Sequence, residues 1–109
     1  MTLGERQETF SRLLGKLLVK IYDMGYQVRM GDVYAKPRNP PEHKLNSLHY
    51  QKCAADLNLF QNGKFLETEK DHLPFADYWE SLHPNCRNGR RYGDSNHYEF
   101  LAQPRKVMP

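Results

Sequence analysis

The clearest pattern in the chain lies near its start. Phe10, Leu13, Leu14, Leu17, Leu18, Ile21 and Tyr22 recur at helical spacing, while Arg6, Glu8, Arg12, Lys16 and Lys20 fall mainly outside that face. Thr2 and Glu5 have capping-box spacing, and Gly25 follows the last periodic residue, so a helix is predicted between them. That helix reads as core. Beyond Gly25 the period drops to two: Tyr26, Val28 and Met30 alternate with Gln27, Arg29 and Gly31, as in a strand. Pro37 to His43, with Pro40-Pro41, cannot hold a regular ladder and is expected to be a loop.

A second extended region is predicted from about Leu48 to Phe60, with Ala55, Leu57 and Leu59 on one face and Asp56, Asn58 and Phe60 on the other. Asn62-Gly63 signals a two-residue hairpin, with Lys64 to Thr68 as the returning strand. From Pro74 the spacing is helical again, through Phe75, Tyr78, Trp79 and Leu82, with Pro74 suited to a first turn and Pro84 to a stop. Trp79 reads as a packing anchor. Asn85 to Ser95 is polar and reads as a loop, and His97 to Leu101 reads as a last strand. Helix, strands, helix and strand make an α+β fold with a small, mostly antiparallel sheet and flanking helices. One domain over residues 1–102 is expected, with a loose tail at 103–109.

Composition narrows the function less than the pattern narrows the fold. The 109 residues carry 16 Lys plus Arg against 13 Asp plus Glu, a net charge of +3. That suffices for one domain and a modest core. The 39% hydrophobic and 12% aromatic fractions exclude a disordered tail. The best apolar stretch, Leu13 to Tyr22, is interrupted by Lys16 and Lys20, so no membrane span is expected. Met1 to Glu8 lacks the apolar run of a secretory signal, and synthesis in the cytoplasm is expected. Cys53 and Cys86 are therefore expected as thiols. The densest basic stretch, Arg87 to Arg91, reads as a solvated turn around Asn88-Gly89.

Two histidines stand out by their neighbours. His49 lies seven residues before Asp56, and His97 closes Asp94-Ser95-Asn96-His97. Two imidazoles and one carboxylate suffice for a catalytic zinc, because they leave a fourth position open to water. Asp94 would then be the carboxylate that takes a proton from that water. By spacing alone, a surface histidine and a strand-end aspartate explain these residues as well.

The stretch Ser47-x-His49-x-x-x-x-Ala54-x-Asp56, followed by Asp94-x-x-His97, resembles the zinc peptidases that include D-alanyl-D-alanine carboxypeptidases and phage L-alanyl-D-glutamate endopeptidases, of hedgehog-like fold. The resemblance extends to the N-terminal helix and to an arginine-bearing segment, Tyr26 to Tyr34. It implies His49, Asp56 and His97 as zinc ligands and Asp94 as general base. It also implies Arg29 as the residue that orients a substrate carboxylate, and Ser47 as a neighbour of the substrate. One position departs from the pattern: Lys52 stands where the family usually has glycine, and a residue forced to positive φ there would cost about 1 kcal/mol or more. Glu99, two residues after His97, shares its face in a regular strand; it is a second candidate acid, but a residue so placed more often supports a ligand from behind or serves the fold.

Within that family an aspartate at the Asp94 position is typical of the phage endopeptidases, whereas the carboxypeptidases usually carry glutamate. The resemblance therefore implies an endolysin-type zinc peptidase of bacteriophage kind, cutting the L-Ala–D-Glu bond of peptidoglycan stem peptides. It would act as a monomer, made in the host cytoplasm and reaching the wall after release, with neither nucleic acid nor stable membrane insertion involved. The alternatives are a D-Ala-D-Ala-type carboxypeptidase, a non-catalytic module of the same fold, and a small nucleic-acid-binding phage protein. The last rests on Arg87 to Arg91 and Lys36 to Arg38, and it predicts a steep salt dependence of DNA binding.

Overall fold

A computed structural model of the chain describes residues 1–33 and 48–106. Helix α1 (Leu3–Asp23) starts where the sequence predicts: the Thr2 hydroxyl accepts from the Glu5 N–H, and the Glu5 carboxylate accepts from the Thr2 N–H. Strand β1 (Gln27–Met30) follows, then a 3₁₀ turn (Leu48–Gln51) and strand β2 (Ala54–Gln61). A hairpin at Asn62-Gly63, both at positive φ (52° and 77°), leads into β3 (Lys64–Leu66). Helix α2 (Glu69–Leu82), strand β4 (Cys86–Asn88), a second 3₁₀ turn (Gly89–Tyr92) and strand β5 (His97–Phe100) complete the described elements.

The fold is α+β, with every strand pairing antiparallel. The sheet runs β1-β2-β5-β4, and β3 pairs with β2 beside that path. β1 and β3 both pair with Leu59 and Phe60, so they lie on opposite edges of β2. The Asp56 backbone bonds to Asp32 and Gly31 on the β1 side, which puts β5 on the other edge with β3. β3 and β5 therefore lie end to end along one edge, β3 against residues 59–61 and β5 against 54–56. A notch between them is walled by Phe65 and Glu67 on one side and Ser95 and Asn96 on the other.

Both helices pack on one face of this sheet. Phe10, Leu13, Leu17 and Ile21 of α1 and Phe75 and Trp79 of α2 meet Ala55, Leu57, Leu59, Tyr98 and Phe100 in one buried cluster. Each large side chain buried there contributes about 1.5–3 kcal/mol before conformational entropy is subtracted. Trp79 anchors the cluster as predicted, with its ring edge-on to Phe10 and Tyr98 and its indole N–H donating to the Glu99 carbonyl. Alternation then sends Asp56, Asn58, His97 and Glu99 to the opposite face.

Several elements depart from the sequence prediction. The extended region begins at Ala54, not Leu48, because residues 48–51 close into a 3₁₀ turn and Lys52 (φ 58°) reverses the chain. α2 begins at Glu69, five residues ahead of Pro74, because Thr68 and Asp71 form a second capping box; Pro74 sits inside the helix. The polar stretch 85–95 contains β4 and a 3₁₀ turn where a loop was expected. The arginines of that stretch are not a solvated turn: Arg90 and Arg91 both bond to the buried Glu80 carboxylate, and Arg87 pairs with Glu99. In the predicted tail, Arg105 is tied back, donating to the carbonyls of Pro84, His83 and Cys86. Cys53 and Cys86 are buried thiols. No helix among the described residues is long and apolar enough to cross a membrane.

Candidate metal centre

Three ligand-bearing side chains converge on the open face of the sheet. His49 sits on the 3₁₀ turn, which is closed by Lys52 N–H to the His49 carbonyl and Cys53 N–H to the Leu48 carbonyl. α1 holds the same turn from outside: Arg6 and Gln7 donate to the Gln51 side chain and carbonyl, each at 3.0 Å. Asp56 lies on β2 and His97 directly opposite on β5, as register partners. The turn thus brings His49 onto a pair that strand register has already made.

The ligand atoms of His49, Asp56 and His97 all lie within 4.8 Å of one another, the only such His/Cys/Asp/Glu group among the described residues. His49 Nε2 is 3.1 Å from His97 Nδ1 and 3.3 Å from Asp56 Oδ1, and His97 Nδ1 is 3.1 Å from Asp56 Oδ1. Both imidazoles are buried, and Asp56 is partly open. This triad could hold a metal ion.

The other side of His97 decides which nitrogen faces the site. Its Nε2 lies 2.8 Å from Glu99 Oε1, and Glu99 is only 4% exposed. With Nε2–H donated to that carboxylate, Nδ1 carries the lone pair on the triad side, the tautomer a metal requires. Glu99 is itself held by the Arg87 guanidinium and by the Tyr92 hydroxyl at 3.1 Å. It stands on the His97 face and behind that imidazole, where the sequence reading of a supporting residue puts it. Both of its oxygens are engaged by His97, Arg87 and Tyr92.

Electrostatics agree with an anion-rich socket. Burial pulls the His97 pKa down, but the Asp56 and Glu99 carboxylates outweigh it and hold it up to about 9. Burial raises Asp56, yet hydrogen bonds from His49 and His97 hold it well below the usual carboxylate range. Glu99 is likewise held low, burial being outweighed by His97 and Arg87. Without a metal, this cluster keeps a proton on His97 in the place of a cation.

The remaining predicted site residues are placed less uniformly. Arg29 is exposed on β1, with its guanidinium 4.0 Å above the Phe60 ring. It is the register partner of Asn58, one pleat repeat (roughly 7 Å) from Asp56 along the same face. Asp94 lies on the exposed turn three residues before His97, outside the converging triad. Ser47 lies outside the described residues. The turn carrying Asp94 is fixed from below. A Cβ on Gly89 would sit 2.1 Å from the Asp94 carbonyl oxygen, so only glycine fits that approach, and Asp94 N–H donates to the Gly89 carbonyl.

Residues that sequence reasoning passed over include Arg87 and Tyr92, which hold Glu99, and His72, which is 1% exposed with Nδ1 2.8 Å from the Tyr98 hydroxyl. No sequence signal marks the first two, since their partner is set by β4–β5 register. His72 was legible only through a helix that begins before Pro74. Comparison with protein-family models, with curated proteins and with solved structures found no match for this chain.

Proposed function

We propose that the chain is a zinc-dependent peptidase acting on peptidoglycan stem peptides, with a D-Ala-D-Ala peptidase or hedgehog-like fold and the L-Ala–D-Glu bond as its target. The observation that carries this reading is the convergence of His49, Asp56 and His97 within 4.8 Å, with His97 oriented from behind by Glu99. Two neutral imidazole nitrogens and one carboxylate oxygen are the donor set of a catalytic zinc site, which leaves a position for water. In this reading zinc, when bound, polarises the scissile carbonyl and lowers the pKa of water at the open position.

The chain's own residues supply the rest. Asp94, three residues ahead of His97, is assigned to accept a proton from the attacking water at its carboxylate and return it to the leaving amine. Arg29, on the same sheet face as Asp56, is assigned to a substrate carboxylate, which a guanidinium can bind through two parallel N–H···O contacts. Stem peptides carry such carboxylates, and a neutral peptide would give Arg29 less to do. Arg87, Arg90 and Arg91 are each paired with a carboxylate, which favours the peptidase reading over a nucleic-acid one at that stretch.

The test pairs elemental analysis of the purified protein with turbidity loss of outer-membrane-stripped bacterial walls, with and without chelator. One zinc per chain and chelator-sensitive lysis are expected, with fragment masses naming the bond. Asp94→Ala should keep the metal and lose turnover. A protein that takes up no zinc on reconstitution and clears no walls overturns the reading.

A further inference from the structure

Beside the triad, the open face carries a second ordered polar pair that the triad does not use. Asn58 on β2 and Asn96, the residue before β5, are joined side chain to side chain, the Asn96 amide donating to the Asn58 oxygen at 3.1 Å. The backbone fixes them from below, since the Leu57 N–H donates to the Asn96 carbonyl at 2.8 Å. Alternation puts Asn58 on the face of Asp56, one pleat repeat (roughly 7 Å) along β2. Asn96 immediately precedes His97, so the pair bridges the two strands that carry Asp56 and His97. Arg29 is the register partner of Asn58 on the other side. Arg29, Asn58 and Asn96 therefore form one row across the open face.

The bond between the two amides leaves one outward group on each. The Asn58 amide nitrogen and the Asn96 amide oxygen have no hydrogen-bond partner among the described residues. Neither atom is buried, and both residues are half-buried, so a donor and an acceptor stand open to solvent on side chains that hold each other in place. The floor beside the donor is clear as well. Gly31 lies there without a left-handed φ, and a Cβ on it would stand 3.0 Å from the Asp56 Cβ and 3.5 Å from Asn58 Nδ2. What glycine supplies at that position is space, so a chain lying over the row can approach the backbone closely.

We propose that the Asn58–Asn96 pair is a main-chain clamp for the substrate peptide, Asn58 donating to one of its carbonyl oxygens and Asn96 accepting from one of its N–H groups. A donor and an acceptor side by side are what a strand edge offers a partner strand, and a peptide answers them with its own C=O and N–H. A carboxylate or phosphate would meet the Asn58 N–H but be set against the Asn96 oxygen, and an ammonium the reverse. The inference rests on the peptidase reading: the triad addresses the scissile carbonyl, Arg29 a carboxylate, and the clamp the main chain one pleat repeat away. Main-chain groups are common to every residue, so the clamp sets register. It fixes which bond of the stem peptide reaches the triad and holds that bond there.

The probe is a stem-peptide analogue whose L-Ala–D-Glu amide is replaced by a methylene-amine link, which leaves no amide to cut at that position. Titrated into the ¹⁵N-labelled, zinc-loaded protein, it is expected to shift the side-chain amide signals of Asn58 and Asn96. Further analogues carry an ester oxygen in place of one remaining amide N–H at a time. One of these positions should raise Kd about 3- to 10-fold, the loss of one neutral hydrogen bond. Asn96→Ala should raise Kd of the all-amide analogue by a similar factor and then be indifferent to that ester, whereas a merely structural Asn96 would give losses that multiply. Asn58→Asp keeps the bond accepted from Asn96, removes the outward N–H, and should weaken binding at least as much. Unmoved Asn58 and Asn96 signals, no ester-sensitive position, multiplying losses, or indifference to Asn58→Asp each overturn the clamp. Cleavage of natural wall peptide alongside any of those outcomes leaves the peptidase reading standing without it. A protein that shows the coupling but cleaves no wall peptide keeps the clamp and sinks the peptidase reading.

Discussion

The two faces of the central sheet are made by the same strands and obey different rules. Toward the helices, Ala55, Leu57, Leu59, Tyr98 and Phe100 are fully buried and packed against Phe10, Leu17, Phe75 and Trp79. Away from them, Asp56, His97 and Glu99 are also largely buried, but nearly every contact is a directed polar one. The first face is stabilised by area and volume, so any side chain of suitable size and polarity will serve. The second is held by specific donors and acceptors, where removing one partner strands the others in a dry site. One strand alternation therefore separates what stabilises the fold from the triad that could hold a metal ion.

The largest effect on the polar face is loss of a ligand. His49→Ala and His97→Ala should abolish metal uptake altogether, read by elemental analysis after zinc reconstitution. On the apolar face the counterpart is Trp79→Ala, which leaves a cavity and removes the hydrogen bond to the Glu99 carbonyl. It should cost about 3–5 kcal/mol in denaturant unfolding. If the faces are as separate as they look, the Trp79 variant that remains folded keeps its metal stoichiometry. A Trp79 variant that folds but takes up no metal would show that the core face sets the geometry of the polar one.

Glu99→Gln sharpens the same division, because it keeps volume and removes only charge. The His97 tautomer then loses its anionic partner, and zinc affinity should fall about 10- to 100-fold with Tm of the metal-free protein changed far less in proportion. Competition against a chelator measures the first and thermal melting the second. An unchanged affinity would mean that Glu99 serves Arg87 and Tyr92, and His97 only incidentally.

Stability against pH separates two buried histidines, one on each face. His97, raised to about 9, binds its proton more tightly folded than unfolded. Its contribution is complete below the unfolded value of about 6.5 and is lost as pH rises toward 9. His72 is the opposite case, lowered to about 4 by burial. The unfolded chain takes up a proton there first, so stability falls as pH drops from about 6.5 toward 4. The metal-free protein should therefore melt highest near pH 6.5, and zinc should remove the alkaline limb because it displaces the His97 proton. A flat profile between pH 6.5 and 9 in chelator would refute the assignment of that proton to His97.

The apolar face was far more legible in the sequence than the polar one. The α1 period, its Thr2–Glu5 cap and the Asn62-Gly63 hairpin are local signals, and local physics decided them. Local signals also existed for the start of α2, in Thr68 and Asp71, but Pro74 looked like a better first turn. β4 was illegible, since three residues reading Cys-Arg-Asn carry no period. For the site, the spacing of His49 and Asp56 and the position of His97 named the converging residues. What joins them is β2–β5 register, which no short window contains. Arg87, Tyr92 and His72 belong to the same class, being partners defined by neighbours far along the chain.

The smallest expected effect lies at the hinge between the two faces. Lys52 holds φ 58° immediately before β2, where the resembled family has glycine, and this conformation is what turns His49 back over Asp56. An L-residue in the left-handed region costs about 1–2 kcal/mol, and glycine returns some of that gain as backbone entropy in the unfolded chain. Lys52→Gly should therefore stabilise the protein by about 0.5–1 kcal/mol, while Lys52→Ala, which keeps the strain, should not. Chemical denaturation of the pair isolates the backbone from whatever the lysine side chain does. Zinc affinity should be equal in both variants if the turn geometry is set by chain reversal alone. A Gly variant no more stable than the Ala variant would mean that the turn is not strained at Lys52. The hold on His49 would then rest on the Arg6 and Gln7 contacts from α1, that is, on the helical layer.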